Sequence, residues 1–234
     1  MKKLMSIFAT LVMLLACFSA YADEYEKAIL FRGIQWGATV SEVSAGLPEG
    51  VEMYGTKNSE YWYSMDNRMY DESMNGDSLK AEIGCYDFVR SSSLENVKVA
   101  GYQVSDLYLY YIYTPGENGL LVKDDEHTAL IYAYYKLEPK DPESVFADLT
   151  KKLTGLYGDV DLHQKRTPYI AYEQNLWYGA DGTMVSILKE DYPSGSHYIY
   201  IKYGFAGGDD LMAKAYDAVI LEETLNAASN VDGL

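Results

Sequence analysis

Two runs of alternating residues constrain this chain more than anything else in it. From Val104 to Thr114, Val104, Tyr108, Tyr110 and Ile112 fall on one side and Leu107, Leu109, Tyr111 and Tyr113 on the other. From Thr128 to Leu137, Ala129, Ile131, Ala133, Tyr135 and Leu137 alternate against Leu130, Tyr132 and Tyr134. A side-chain period of two belongs to extended backbone, and aromatic and β-branched residues fit a pleated surface, so both runs predict strands. Apolar character on both sides leaves two options: central strands covered on each face, or one face carpeted with tyrosine. The chain has 24 tyrosines, so the second option has the material it needs.

Turn chemistry separates these runs. Pro115-Gly116-Glu117-Asn118-Gly119 is rich in residues that reverse a chain, and Lys123 to His127 is polar. Further along, Ile170–Tyr178, Thr183–Lys189 and His197–Phe205 predict a three-stranded meander. Asp181-Gly182 and Pro193-Ser194-Gly195 form its turns.

Three helices are expected. Thr39 caps a short one, with Glu42 completing a capping box, Val40, Val43 and Leu47 facing inward and Pro48 ending it. A second runs from Pro142 to Tyr157, capped by Asp141 and stopped by Gly158, with Val145, Leu149, Leu153 and Leu156 as its apolar stripe. The third spans about Asp209 to Ala227 and carries Leu211, Ala215, Val219 and Leu225. The class is α+β: antiparallel sheet with a few packed helices. The element order predicts two similar helix-plus-meander halves, 23–140 and 141–206, followed by a C-terminal helix and tail, 207–234.

Residues 1–22 read as a signal peptide. Lys2 and Lys3 precede an uncharged apolar stretch from Leu4 to Ala16, and Ala20-Tyr21-Ala22 is a small-x-small cleavage site. Export to the periplasm or beyond, with a mature start at Asp23, is expected. The alternative is a lipoprotein anchored through Cys17 in Leu14-Leu15-Ala16-Cys17. No other stretch is apolar enough for a membrane span.

Charge narrows the partners. The formal net charge is −16, and removing residues 1–22 takes away two lysines and no acids. A chain this acidic, with only scattered basic pairs, is a poor match for nucleic acid or an anionic membrane surface. An envelope or extracellular protein, or a glycan, is the expected partner. Oligomeric state is left open.

Phe31-Arg32-Gly33-Ile34-Gln35-Trp36-Gly37-Ala38-Thr39, leading into the first capped helix, resembles the opening of a loosely defined group of exported bacterial proteins of unknown function. These carry an Arg-Gly-x-x-Trp-Gly entry motif. Leu153-Thr154-Gly155-Leu156-Tyr157-Gly158 is similar to their later helix ending. The resemblance implies tyrosine-rich strands after the entry helix. It implies no activity and no catalytic residue. Within the motif, Gly33 and Gly37 are expected to permit tight bends, and Trp36 to pack under the first helix.

Chemical signatures in the chain are few. There is no Gly-x-Ser-x-Gly, no His-Glu-x-x-His and no glycine-rich phosphate loop, and His127, His163 and His197 stand far apart. Neither a cofactor nor a metal is expected. Asp124-Asp125-Glu126-His127 is the best oxygen cluster for a hard cation, but it lacks EF-hand spacing and reads first as a solvated turn. Cys85 alternates with Leu79, Ala81 and Ile83, which makes it a core thiol, the alternative being a catalytic or intermolecular one. Tyr61, Trp62 and Tyr63, in a polar stretch, are the candidate ligand-binding residues, set against a strand carrying those rings into the core. The expected function is a non-catalytic binding or envelope-associated module. The alternative is a carboxylate-dependent hydrolase of extracellular glycan or peptidoglycan.

Overall fold

A computed structural model describes residues 27–49, 51, 53, 57–64, 69–70, 78–90, 94–95, 97–167 and 170–231. The predicted signal segment, 1–22, lies outside the described residues.

The first half opens with helix α1 (Val40–Gly46). It continues through β1 (Lys57–Ser64), β2 (Met69–Tyr70), β3 (Ser78–Arg90), the small ladder β4 (Lys98–Val99) with β5 (Tyr102–Gln103), β6 (Asp106–Tyr113) and β7 (Thr128–Leu137). The second half opens with α2 (Pro142–Tyr157), followed by β8 (Leu162–Arg166), β9 (Ala171–Tyr178), β10 (Thr183–Asp191) and β11 (His197–Phe205). Helix α3 (Gly207–Val231) closes the described chain.

Among the described residues, nine strands form one antiparallel sheet in the order β2-β1-β3-β6-β7-β11-β10-β9-β8. Each half enters as a helix and then winds from an outer edge of the sheet toward its middle. The last strands of the two halves therefore meet there, with Leu137 opposite Ile199 and Ala133 opposite Tyr203. The boundary expected near 140 is thus crossed by a continuous sheet and by one core that includes Val43, Leu109, Leu149 and Ile187. The fold is α+β, built on antiparallel sheet.

One face of the sheet carries that core. Helix α1 packs on β7 and α2 on β9, β10 and β11. Thr39 caps α1 with both bonds of the capping box in place, and Asp141 caps α2, accepting from the Ser144 amide. Val145, Phe146, Leu149 and Leu153 are the buried residues of α2. Leu156, expected in the same stripe, is 69% exposed, while its neighbour Tyr157 packs on the core. Leu225 of α3, also expected to face inward, is 51% exposed. Helix α3 lies on the opposite face, where Met212, Ala215 and Tyr216 pack against Ile83, Ile112 and Ile131.

A bulge corrects the predicted alternation in β7. Tyr110 pairs with Tyr132, but Tyr111 pairs with Leu130, so Ile131 is an extra residue on its strand. Leu130 accordingly faces the main core rather than sharing a side with Tyr132 and Tyr134, and Ile131 turns to α3. The ladder bonds displaced at the bulge are supplied by the entry segment. The Leu130 amide donates to the Ala38 carbonyl at 2.8 Å, and the Gly37 amide donates to the Leu130 carbonyl at 2.9 Å.

Candidate functional site

The entry motif is a structural plug. Arg32 and Gly33 both take left-handed backbone, φ 53° and 79°, which turns the chain so that the Ile34 amide donates to the Phe31 carbonyl at 2.8 Å. Phe31 is thereby driven fully into the core, 5.5 Å from the Tyr135 ring and 5.8 Å from that of Tyr203. The Arg32 guanidinium donates to the Tyr135 hydroxyl at 3.2 Å. Trp36, expected beneath α1, instead stacks on Phe205 of β11 at 5.4 Å, and its indole N–H donates to the Ile29 carbonyl. Its partner is some 170 residues away in sequence, so local pattern gave no means of finding it.

The backbone of Tyr61, Trp62 and Tyr63 lies in β1, opposite Ala81, Lys80 and Leu79 of β3. Their side chains lie outside the described residues.

The sheet face opposite the core carries the most distinctive arrangement. The strand period of two brings Tyr86 of β3, Tyr108 and Tyr110 of β6, Tyr132 and Tyr134 of β7, and Tyr198 and Tyr200 of β11 to that face. Register then sets the rings side by side. Tyr86 opposes Tyr110 and Tyr108 opposes Tyr134, both pairs stacked, at 5.8 and 4.6 Å between centroids. Tyr132 meets Tyr110 and Tyr134 edge-on at 5.8 and 5.9 Å. Tyr200 stands edge-on to Tyr134 at 5.7 Å and leads through Tyr198 to Tyr192. The array is continuous from β3 to the turn after β10, and every ring in it is partly exposed. Helix α3 covers one end, since Tyr110 and Tyr132 also pack on its contact cluster.

Charges punctuate this face. Lys136 lies 4.2 Å over the Tyr198 ring and pairs with Glu138 at 2.8 Å and Asp106 at 3.5 Å. Burial alone would lower its pKa, but the two carboxylates outweigh that and raise it. Lys202 stands opposite Tyr134 and lies 5.4 Å over the Tyr200 ring. Tyr192 donates its hydroxyl to Glu190 at 2.8 Å. Burial pushes the hydroxyls of Tyr132, Tyr134 and Tyr200 well above the ordinary tyrosine range, so they stay neutral donors and acceptors at physiological pH. Such a surface can hold a ligand through ring edges and hydroxyls.

A second polar network, on the core side, is structural. Lys189 is 4% exposed, hydrogen-bonds Glu143 and lies 3.6 Å from Glu173, which also accepts from Lys165 at 3.1 Å. Asn175 links His163, at 2.7 Å, to the Thr150 hydroxyl, at 3.0 Å, tying β8 and β9 to α2. Cys85 is fully buried in β3, and burial pushes its thiol up to about 12, which leaves it protonated and inert. In the Asp124–His127 cluster, Asp124 Oδ1 accepts from the Glu126 and His127 amides at 3.1 and 2.9 Å, and contacts His127 Nδ1 at 2.8 Å. That oxygen closes the turn. Among the described residues, no group of three or more His, Cys, Asp or Glu side chains gathers as metal ligands would. No helix among them is long and apolar enough to cross a membrane.

The tyrosine array has a signal in the sequence: Tyr-x-Tyr at 108–110, 132–134 and 198–200. What the sequence lacks is the strand order that makes these three pairs neighbours. Comparison with family models, curated proteins and solved structures returns no match for this chain.

Proposed function

We propose that this protein is an exported, non-catalytic binding protein that contacts its partner through the tyrosine face of the sheet. The observation that carries this is the unbroken array of partly exposed rings from Tyr86 to Tyr192. Tyrosine gives large contact area for only two side-chain torsions, and so loses little entropy on binding. A nine-stranded sheet holds those rings in fixed register, which removes much of the ordering cost of association. The carboxylates around the array are occupied: Glu190 by Tyr192, and Asp106 and Glu138 by Lys136. This favours recognition over the alternative of glycan hydrolysis by a carboxylate pair. Export rests on the Lys2-Lys3, apolar and Ala20-Tyr21-Ala22 pattern.

Cross-linking on cells carrying the native protein tests this directly. A defined envelope or extracellular protein recovered with wild type and lost with a Tyr108→Ser/Tyr134→Ser/Tyr200→Ser variant of unchanged circular dichroism is the expected result. A partner retained by that variant, or turnover of a glycan by the purified protein, would overturn it. The mass of the mature N-terminus distinguishes a start at Asp23 from lipidation at Cys17.

A further inference from the structure

Among the lysines of this sheet whose side chains are described, all but one are paired with carboxylates. Lys136, Lys165 and Lys189 each have a carboxylate oxygen within 4.0 Å. Lys202 has no such ion pair among the described residues, in a chain of net charge −16. Its place is the middle of the tyrosine face. It stands opposite Tyr134 on β7 and Ser186 on β10, and the row continues through Tyr134 to Tyr108 on β6. Glu190, four residues along β10 from Ser186, has its carboxylate engaged by Tyr192.

We propose that Lys202 is the anchor for one carboxylate of a bound peptide segment, an Asp or Glu flanked by apolar residues, laid across the row Lys202–Tyr134–Tyr108. This deepens the reading of the tyrosine face as the binding surface and rests on it.

Three features give the face this preference. The ammonium is partly buried, lies over a ring and has no ion pair in contact among the described residues, so an incoming carboxylate meets a charge with room for a direct partner. Burial lowers the Lys202 pKa, partly offset by Glu190, and a bound anion would reverse that cost. Tyr108 and Tyr134 are stacked with planes 18° apart, so each spends a ring face on the other. Ring edges carry the positive end of the aromatic quadrupole, which favours an anion over a further ring face. Flat stacking of a sugar ring, which needs a free aromatic face, is correspondingly disfavoured at this pair.

Size and charge narrow the occupant further. From β6 to β11 is two strand spacings, about 10 Å, which an extended peptide spans with about three residues. A polyanion laid there would meet Asp106, Glu138 and Glu190 nearby, so a single acidic residue among apolar ones fits where an acidic run does not.

The probe is a random heptapeptide display library selected on the purified protein, with a glycan array of neutral and acidic sugars alongside. Expected is enrichment of peptides with one Asp or Glu between apolar residues. Their affinity should fall about tenfold or more with Lys202→Met and stay within a few-fold with Lys202→Arg. Enriched peptides without an acid, or acidic peptides indifferent to Lys202→Met, would overturn the role of Lys202 and leave the tyrosine face standing. No enrichment above that on the Tyr108→Ser/Tyr134→Ser variant would overturn both. Selective capture of acidic glycans in place of peptides would overturn the peptide assignment. Thermal melts of Lys202→Met, which removes a partly desolvated charge, guard against misfolding.

Discussion

Tyr108 and Tyr134 sit directly opposite each other on β6 and β7, with ring centroids 4.6 Å apart and planes 18° from parallel. This is the tightest ring contact described on the exposed face, one strand away from the β7–β11 pairing where the two halves meet. An aromatic pair of this kind contributes about 0.5–1.5 kcal/mol beyond the area it buries. Tyr108→Ala and Tyr134→Ala should therefore be non-additive in urea unfolding, with a coupling energy in that range. Additive single and double variants would show that the rings are neighbours without being partners.

The tyrosines also set the alkaline limit of the fold. Burial raises the hydroxyl pKa of Tyr111, Tyr132, Tyr134, Tyr200 and Tyr203 above the value of about 10 that they have when unfolded. The folded state thus keeps protons that the unfolded state releases. Its advantage is complete below pH about 10 and is lost as pH rises beyond that. An absorbance titration should show part of the tyrosine signal appearing only as circular dichroism collapses. A single smooth transition near pH 10, with secondary structure intact, would contradict the burial of these hydroxyls.

Local chemistry was legible in the sequence, and long-range placement was not. Asp141, Pro142 and Gly158 mark the ends of α2, and strand periodicity marks β7 and β11, because caps and alternation act over a few residues. Strand β8, Leu-His-Gln-Lys-Arg, is exposed throughout and has no apolar face to announce it; only its pairing with β9 makes it a strand. The bulge at Ile131 depends on the entry segment docking beside Leu130, a contact about ninety residues distant. The candidate site shows the same division. Each Tyr-x-Tyr pair was visible, but the face exists only because β6, β7 and β11 are adjacent.

Glu173 holds the β8–β10 edge by charge. Burial alone would raise its carboxyl, but the hydrogen bond from Lys165 and the charges of Lys165, Lys189 and His163 hold it below the usual carboxylate range. A lowered pKa stabilises the fold above the unfolded value of about 4.3, and that contribution is lost as pH falls through the folded value. Glu173→Gln should cost about 1–3 kcal/mol near pH 7, since Lys189 keeps only Glu143 as a counter-charge. The gap between variant and wild type should close toward pH 3. Urea melts at both pH values test this, and a gap independent of pH would remove the electrostatic account.

Gly179 and Gly155 should respond in opposite directions to the same change. A Cβ at Gly179 would lie 2.6 Å from Ile29 Cγ1, 2.6 Å from Thr183 Oγ1 and 3.0 Å from the Lys27 carbonyl oxygen. None of these moves cheaply. Ile29 is buried, the Thr183 hydroxyl accepts from the Ile29 amide at 2.8 Å and donates to the Ala180 carbonyl at 2.7 Å, and the Lys27 carbonyl accepts from the Ala180 amide at 3.0 Å. Gly179→Ala must push apart the strap that ties the start of the described chain to the β9–β10 turn, and should cost about 1–3 kcal/mol. Gly155 lies on the exposed side of α2 with nothing within 4 Å of its added Cβ. There alanine has only its better helix propensity to contribute, and Gly155→Ala should gain about 0.5–1 kcal/mol. Thermal melts of the two variants side by side separate the effects. Equal shifts of one sign would mean that the close packing at Gly179 is not what fixes that residue.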